Sequence, residues 1–294
     1  MNAAERKRYW FRYAKENARY ERSGVAHFRK AILSTIAPVM TYAAAHGPQA
    51  ALSNLDTLVD RRIIERAFID FYLYVGKVHY IWAEKDIKTR LPKERQKRGR
   101  ITVDVGSADS GFGANFFNPD WLRRLKNLVY SLNVARRVTS VSNTIKKKLR
   151  AVLGQAVKEE VRPSAIARRM HQEMDGQWSE ERAKLIARTE TTYIANAAAK
   201  ESAYESIKGM GIKLDKIWIH TQDERVRDTH WKNPDPIGAD EKFTVGESRM
   251  DFPGDPAGGA AECCNCRCTV AYLPSGDRED IFPDPYLLNP LPKI

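Results

Sequence analysis

All four cysteines of this 294-residue chain fall within the run ECCNCRC, Glu262 to Cys268. Thiol clusters of this density serve metal binding, redox chemistry or buried packing. Zinc takes N and S donors at tetrahedral corners, and Cys266 and Cys268 with His230 and either His220 or Cys263 make a candidate zinc set. The adjacency of Cys263 and Cys264 and the interval from His220 to His230 match no standard finger spacing. A reduced buried cluster and a disulfide therefore stay open beside the metal. In an extended segment Cys266 and Cys268 point to one face and Arg267 to the other, which leaves Arg267 to pair with an acid such as Asp255 or Glu262.

Upstream lies Asp223-x-Arg225-x-Arg227-x-x-His230. Beside a metal, His230 as general base and Asp223 as its neighbour suit phosphodiester hydrolysis. The same spacing also suits an ion-pair lattice that pins a loop. Glu190, in the run Arg188-Thr189-Glu190, is either a buried partner for Arg225 or Arg227 or an acid in a cleft. Phe252 to Pro256, FPGDP, reads as a turn, because Pro253 fixes φ and Gly254 permits the left-handed conformation that a type II turn requires.

The elements that position these residues are mostly helical. From Arg61 to Lys88 the apolar residues Ile63, Ala67, Phe71, Tyr74, Val75, Val78, Ile81 and Trp82 recur at spacings of mostly three and four, the stripe of an amphipathic helix. A second helix opens at Asn118-Pro119-Asp120 and carries Arg123, Arg124 and Lys126 on its polar side. Ser164 is placed to cap a short helix through Met170, and Ser179 a longer one that ends at Gly209 or Gly211. Lys85 to Arg100 and Gly106 to Asn118 read as loops. After Gly211 the texture changes: Lys216 to His220 and Cys266 to Pro274 look extended, and the turn-rich stretch between them is short of apolar material. So small a region needs a metal, a polar network or the preceding helix to complete its core. The fold class is α+β, with a basic, mainly helical region over 1–163, a loop-rich α+β domain over 164–275 and a Pro-rich tail over 276–294.

The net charge of +12 is uneven: from Trp218 onward 8 Lys/Arg face 14 Asp/Glu, so that part carries −6 and residues 1–217 carry +18. A basic excess attracts nucleic acid or an acidic protein surface without specifying either. The candidates for phosphate contact are Lys93, Arg95, Lys97, Arg98, Arg123, Arg124, Lys126, Lys146, Lys147 and Lys148. No nucleotide-binding glycine loop is present, and the first residues lack the apolar core of a secretory signal. No stretch is apolar enough to span a membrane, so a soluble, reducing compartment is expected.

The order RTE, D-x-R-x-R-x-x-H, Phe243, FPGDP and then Asn265-Cys266-Arg267-Cys268 resembles the C-terminal domain of the phage Mu F-like minor head proteins, over roughly Ala165 to Pro274. Beside that resemblance, the ion-pair spacing and the lack of a nuclease, zinc-protease or paired-carboxylate signature lead us to expect that these motif residues are structural and that the chain is no enzyme. The resemblance implies a virion component of a tailed phage, made in the host cytoplasm and associated with the portal vertex. Such a component takes part in head assembly and in handling the genome. The implied partners are the portal protein or major capsid protein and phage DNA. A metal-dependent nuclease centred on His230 and Asp223 is the alternative.

Overall fold

The computed structural model describes residues 1–91, 119–210, 213–233 and 235–275. The second loop read above, the basic cluster Lys93, Arg95, Lys97 and Arg98, and the Pro-rich tail lie outside the described residues. The helices are α1 (Ala3–His46), α2 (Pro48–Ser53), α3 (Leu55–Leu58), α4 (Arg61–Arg90), α5 (Pro119–Val129), α6 (Leu132–Lys158), α7 (Pro163–Met170) and α8 (Gln177–Met210). Beyond them come β1 (Leu214–Ile219), a short α9 (Asp228–Trp231), β2 (Ile237–Gly238), β3 (Phe243–Val245), β4 (Ser248–Met250), α10 (Gly259–Cys263) and β5 (Thr269–Pro274). A helical N-terminal region thus precedes small antiparallel sheets, an α+β fold. Among the described residues no helix is long and apolar enough to cross a membrane.

Contacts divide the chain into two compact units. The first comprises the described residues of Met1–Ala18, Tyr74–Asn127 and Thr189–Ile294; the second comprises Arg19–Leu73 and Leu128–Arg188. The second unit has an all-helical core. Phe28 packs edge-on against Phe68 and Phe71, with ring centroids 5.2 and 5.0 Å apart. α1 approaches α4 closely there because residue 24 is glycine: a Cβ at Gly24 would lie 2.8 Å from the Phe71 ring. Ser131 caps α6 by accepting the Val134 N–H, and Val138, Ile145, Leu149 and Val152 form its buried stripe.

In the first unit β1 pairs antiparallel with β2 and β5, in the order β2-β1-β5, with Ile217 opposite Ala271 and Trp218 opposite Val270. β3 and β4 form a hairpin turned at Gly246, whose φ of 58° suits a tight two-residue connection. The preceding helix contributes to this core. From Thr189 to Ala199 every residue of α8 is buried, and the small side chains of Ala195, Ala197, Ala198 and Ala199 let neighbours approach on all sides. α1 contributes as well: Tyr9 donates its hydroxyl to the Val270 carbonyl (3.1 Å) and Trp10 its indole N–H to the Arg267 carbonyl (3.3 Å).

Several boundaries differ from the sequence reading. The loop expected from Lys85 begins later, because α4 continues to Arg90. Lys88 and Arg90 reach back to Glu84 and Asp86 at 2.7 and 2.8 Å, and Ile87 and Leu91 are buried. The buried stripe of α4 runs through Ile64, Phe68, Tyr72, Val75, His79 and Ala83; Ala67 and Phe71 flank it, while Tyr74, Val78, Ile81 and Trp82 are only half-buried. α7 opens on Pro163 rather than on a Ser164 cap. Ser179 lies inside α8, bonded to the Asp175 and Gly176 carbonyls, because the helix starts at Gln177.

Candidate metal centre and motif cluster

The motif residues assemble around one face of α8. Thr189, Thr192 and Asn196 are three and four residues apart, so they share a side of the helix. They grip the backbone that leads into β5. Thr189 Oγ1 accepts the Asn265 N–H (3.2 Å), and Thr192 Oγ1 donates to the Cys266 carbonyl (2.6 Å). Asn196 Nδ2 donates to the carbonyls of Pro253 (3.0 Å) and Cys268 (3.3 Å), while its Oδ1 accepts from Val270 N–H and Thr269 Oγ1, both at 3.0 Å. Thr192 and Asn196 are absent from the candidate set drawn from the sequence, although polar residues at helical spacing inside an Ala-rich helix are the signal that marks them.

Asn265 takes a left-handed φ of 58°, which breaks the run of cysteines. Glu262 and Cys263 end α10, whereas Cys266 to Cys268 run irregularly into β5. The reversal sends Cys266 and Cys268 to the same buried group, the His230 imidazole. His230 Nδ1 lies 3.4 Å from Cys268 Sγ and 3.8 Å from Cys266 Sγ. Its Nε2 lies 2.9 Å from Glu262 Oε2, which also accepts from Thr229 Oγ1 at 2.9 Å. The side chains of His230, Cys266 and Cys268 are 1–2% exposed. Trp218 closes one side with its ring edge-on to His230 at 5.1 Å, and Phe243 meets Trp218 at 5.3 Å.

All four cysteines are free thiols, so no disulfide forms. Cys263 faces elsewhere and donates to the Asp255 carbonyl (2.9 Å). The Cys264 carbonyl accepts from Arg227 (2.6 Å). Cys266 and Cys268 are unequal. The hydrogen bond between them, with burial, pushes the Cys266 thiol up. For Cys268 burial acts upward too, but the Cys266 hydrogen bond and the Thr221 backbone N–H outweigh it and hold the thiol below its ordinary value.

His220 does not join this cluster; it stacks on Trp231 at 4.1 Å, with Nδ1 2.9 Å from the Thr221 carbonyl. Arg267 pairs with Asp223, Nη2 to Oδ1 at 2.9 Å, and not with Asp255 or Glu262. Asp255 is occupied in capping: its Oδ2 accepts Asp251 N–H and its Oδ1 accepts Ala257 N–H. Burial raises the Asp223 carboxyl, yet the Arg267 guanidinium and the Arg225 N–H hold it below the usual value. Arg188 meets Glu21 at 3.4 Å, and Glu190 is buried. The FPGDP turn closes with Asp255 N–H on the Phe252 carbonyl (3.1 Å) and Gly254 at φ 88°. Asp223 is thus paired with Arg267, and the carboxylate at the His230 imidazole is that of Glu262. A cleft of about 410 Å³ beside Thr229 is lined by Lys232, Asn233, Lys242 and Gly246 among others, and by neither His230 nor a cysteine.

The segment that carries these motifs is similar in sequence to known proteins. Residues 147–271 match the family described as Phage Mu protein F like protein. The matched segment contains every motif of that resemblance, from Arg188 to Cys268, and stops three residues short of the end of β5, so the resemblance read from the motifs holds. Minor head protein GP7 of Bacillus phage SPP1 is 33% identical over 118 residues, 39% of this chain and 36% of that protein. The NAD(+)--arginine ADP-ribosyltransferase EFV of Enterococcus faecalis is 31% identical over 120 residues, 40% of this chain and 24% of that protein. The chain thus spans about a quarter to a third of the length of these relatives. No solved structure matches it significantly.

Of the basic candidates, Arg124 is held by Glu201 (2.7 Å) and by Glu205, Lys146 by Asp56 (2.7 Å) and Lys148 by Glu173 (3.6 Å). Arg123, Lys126 and Lys147 are exposed.

Proposed function

We propose that this chain is a minor head protein of a tailed phage, a structural component near the portal that meets the packaged DNA through phosphates. The Mu F-like segment and the phage minor head relative support the head assignment. The observation that carries the DNA contact is a groove on α6 of about 470 Å³, lined by Arg136, Thr139, Ser140, Asn143, Thr144 and Lys147. Its lining holds no carboxylate. Arg61 donates to Thr139 Oγ1 and Arg182 to Thr144 Oγ1, so two further guanidinium groups border it. Cations mixed with hydroxyl and amide donors suit sequence-independent phosphate contact. The portal or major capsid protein is the protein partner, and the virion is the location. The buried motif cluster serves stability and not catalysis, since Asp223 is committed to Arg267 and His230 is enclosed.

The test is duplex DNA binding by fluorescence anisotropy across a salt series. Neutralising Arg136 and Lys147 together to Gln is expected to lower the slope of log affinity against log salt by about 2, with no dependence on DNA sequence. Lys146→Gln, whose ammonium is already paired with Asp56, is the control and should change the slope less. An unchanged slope in the double variant would remove DNA from the groove and turn attention to an acidic face of the portal. Quantifying the chain in purified particles tests the head assignment, and abundance equal to the major shell protein would overturn the minor-component reading.

A further inference from the structure

We propose that His230, Cys266 and Cys268 bind one zinc ion, with Glu262 orienting the imidazole, as a structural staple of the loop-rich region. Zn–N bonds of about 2.0–2.1 Å and Zn–S bonds of about 2.3 Å at tetrahedral angles place a nitrogen and a sulfur ligand about 3.6 Å apart. His230 Nδ1 lies 3.4 and 3.8 Å from the two sulfurs, spacings that bracket this value. The three donor atoms all fall within 4.8 Å of one another.

The tautomer agrees. The Glu262 carboxylate lies 2.9 Å from Nε2, so it accepts that N–H, and the Nδ1 lone pair is left facing the two sulfurs. A carboxylate behind the non-ligating nitrogen is the usual outer partner of a zinc-bound histidine. Thr229 Oγ1 in turn holds the carboxylate, which fixes the imidazole plane from outside. Zinc is favoured over harder cations because two of the donors are thiol sulfurs.

The placement explains what the ion does. His230 stands on α9, in a short turn of helix, and the cysteines precede β5, 36 and 38 residues further along the chain. The described residues of the connecting stretch form only short strands, turns and short helical segments such as α10. An ion at this point ties the α9 loop directly to the entry of the central sheet. Among the described residues no fourth His, Cys, Asp or Glu donor joins the group. The enclosure of the three side chains, 1–2% exposed, makes the site structural and closed to a substrate.

The test uses the full-length chain purified without chelator. Elemental analysis is expected to find about one zinc per chain, and a strong chelator should lower the melting temperature, with recovery on returning zinc. Replacement by cobalt(II) should give a thiolate-to-cobalt charge-transfer absorption in the near ultraviolet. Cys266→Ser and Cys268→Ser should each lose metal and that absorption, whereas Cys263→Ser keeps both, because its thiol faces Asp255. The cobalt spectrum of the unaltered chain decides the matter even where a serine variant fails to fold. Metal-free protein that gains no such absorption and melts identically with chelator would overturn the site. So would zinc retained in full by a folded Cys268→Ser variant.

Discussion

Replacing Asn196 tests whether the grip of α8 on β5 holds the C-terminal region together. The side chain is 0% exposed and satisfies both halves of its amide: Nδ2 on Thr192, Pro253 and Cys268 carbonyls, Oδ1 under Val270 N–H and Thr269 Oγ1. Asn196→Ala leaves the Pro253 and Cys268 carbonyls, the Val270 N–H and the Thr269 hydroxyl without this partner, while the Thr192 carbonyl is still within a helix. Each buried group deprived of its partner costs about 1–3 kcal/mol, less whatever a water entering the small cavity restores. The expected loss is about 3–5 kcal/mol, a large fraction of the stability of a typical domain. Asn196→Asp has nearly the same shape but turns the donor toward carbonyl oxygens into a second acceptor, so the carboxylate is disfavoured in the fold and its pKa rises above the unfolded value of about 3.9. The folded state then binds the extra proton. Stability of this variant falls as pH rises from about 4 through the raised pKa, and acid partly restores it. Urea denaturation at pH 5 and pH 8, followed by Trp fluorescence, measures both effects. An Asn196→Asp protein within about 0.5 kcal/mol of the parent at pH 8 would refute the reasoning, since that is the scatter of ordinary surface substitutions.

Two other outcomes follow from geometry. Gly254 has φ 88°, and a Cβ there would lie 3.1 Å from the backbone N and Cα of Tyr193, atoms in mid-helix that have no room to give; Gly254→Ala is expected to cost about 2 kcal/mol or more by chemical denaturation. Lys216 is buried on β1, with Nζ 3.0 Å from the Asp251 carbonyl and 5.2 Å from the Phe243 ring centroid, and burial lowers its pKa to about 8. Between pH 8 and 10.5 the unfolded chain holds a proton that the folded chain has released, so this group adds stability as pH rises through that window; Lys216→Met should flatten that part of the stability curve relative to the parent.

Much of the plan is written in local sequence. Apolar residues at spacings of three and four mark α4, Pro163 and Gly254 set a helix start and a turn, and β-rich runs flank the loop region, because these signals act over a few neighbouring residues. The order of motifs from Arg188 to Cys268 likewise carries the resemblance to the Mu F-like family without any knowledge of their contacts. Partnerships are another matter. Asp223 pairs with Arg267 across 44 positions, and Asn196 meets Cys268 and Val270 across 72 and 74. Nothing local distinguishes Asp223 from Asp255 or Glu262 as the partner of Arg267; Asp255 was excluded only because its oxygens cap Asp251 and Ala257. His220 and His230 look equally able to join the cysteines on paper, yet His220 stacks on Trp231 while α9 carries His230 inward. The basic residues divide in the same way, with Lys146 held by Asp56 and Lys147, one position on, left on the exposed face of α6. Residue type and spacing determine which helices and turns form and which chemistry is available. Which donor meets which acceptor is decided by chain segments far apart in sequence, whose approach depends on the packed core as a whole.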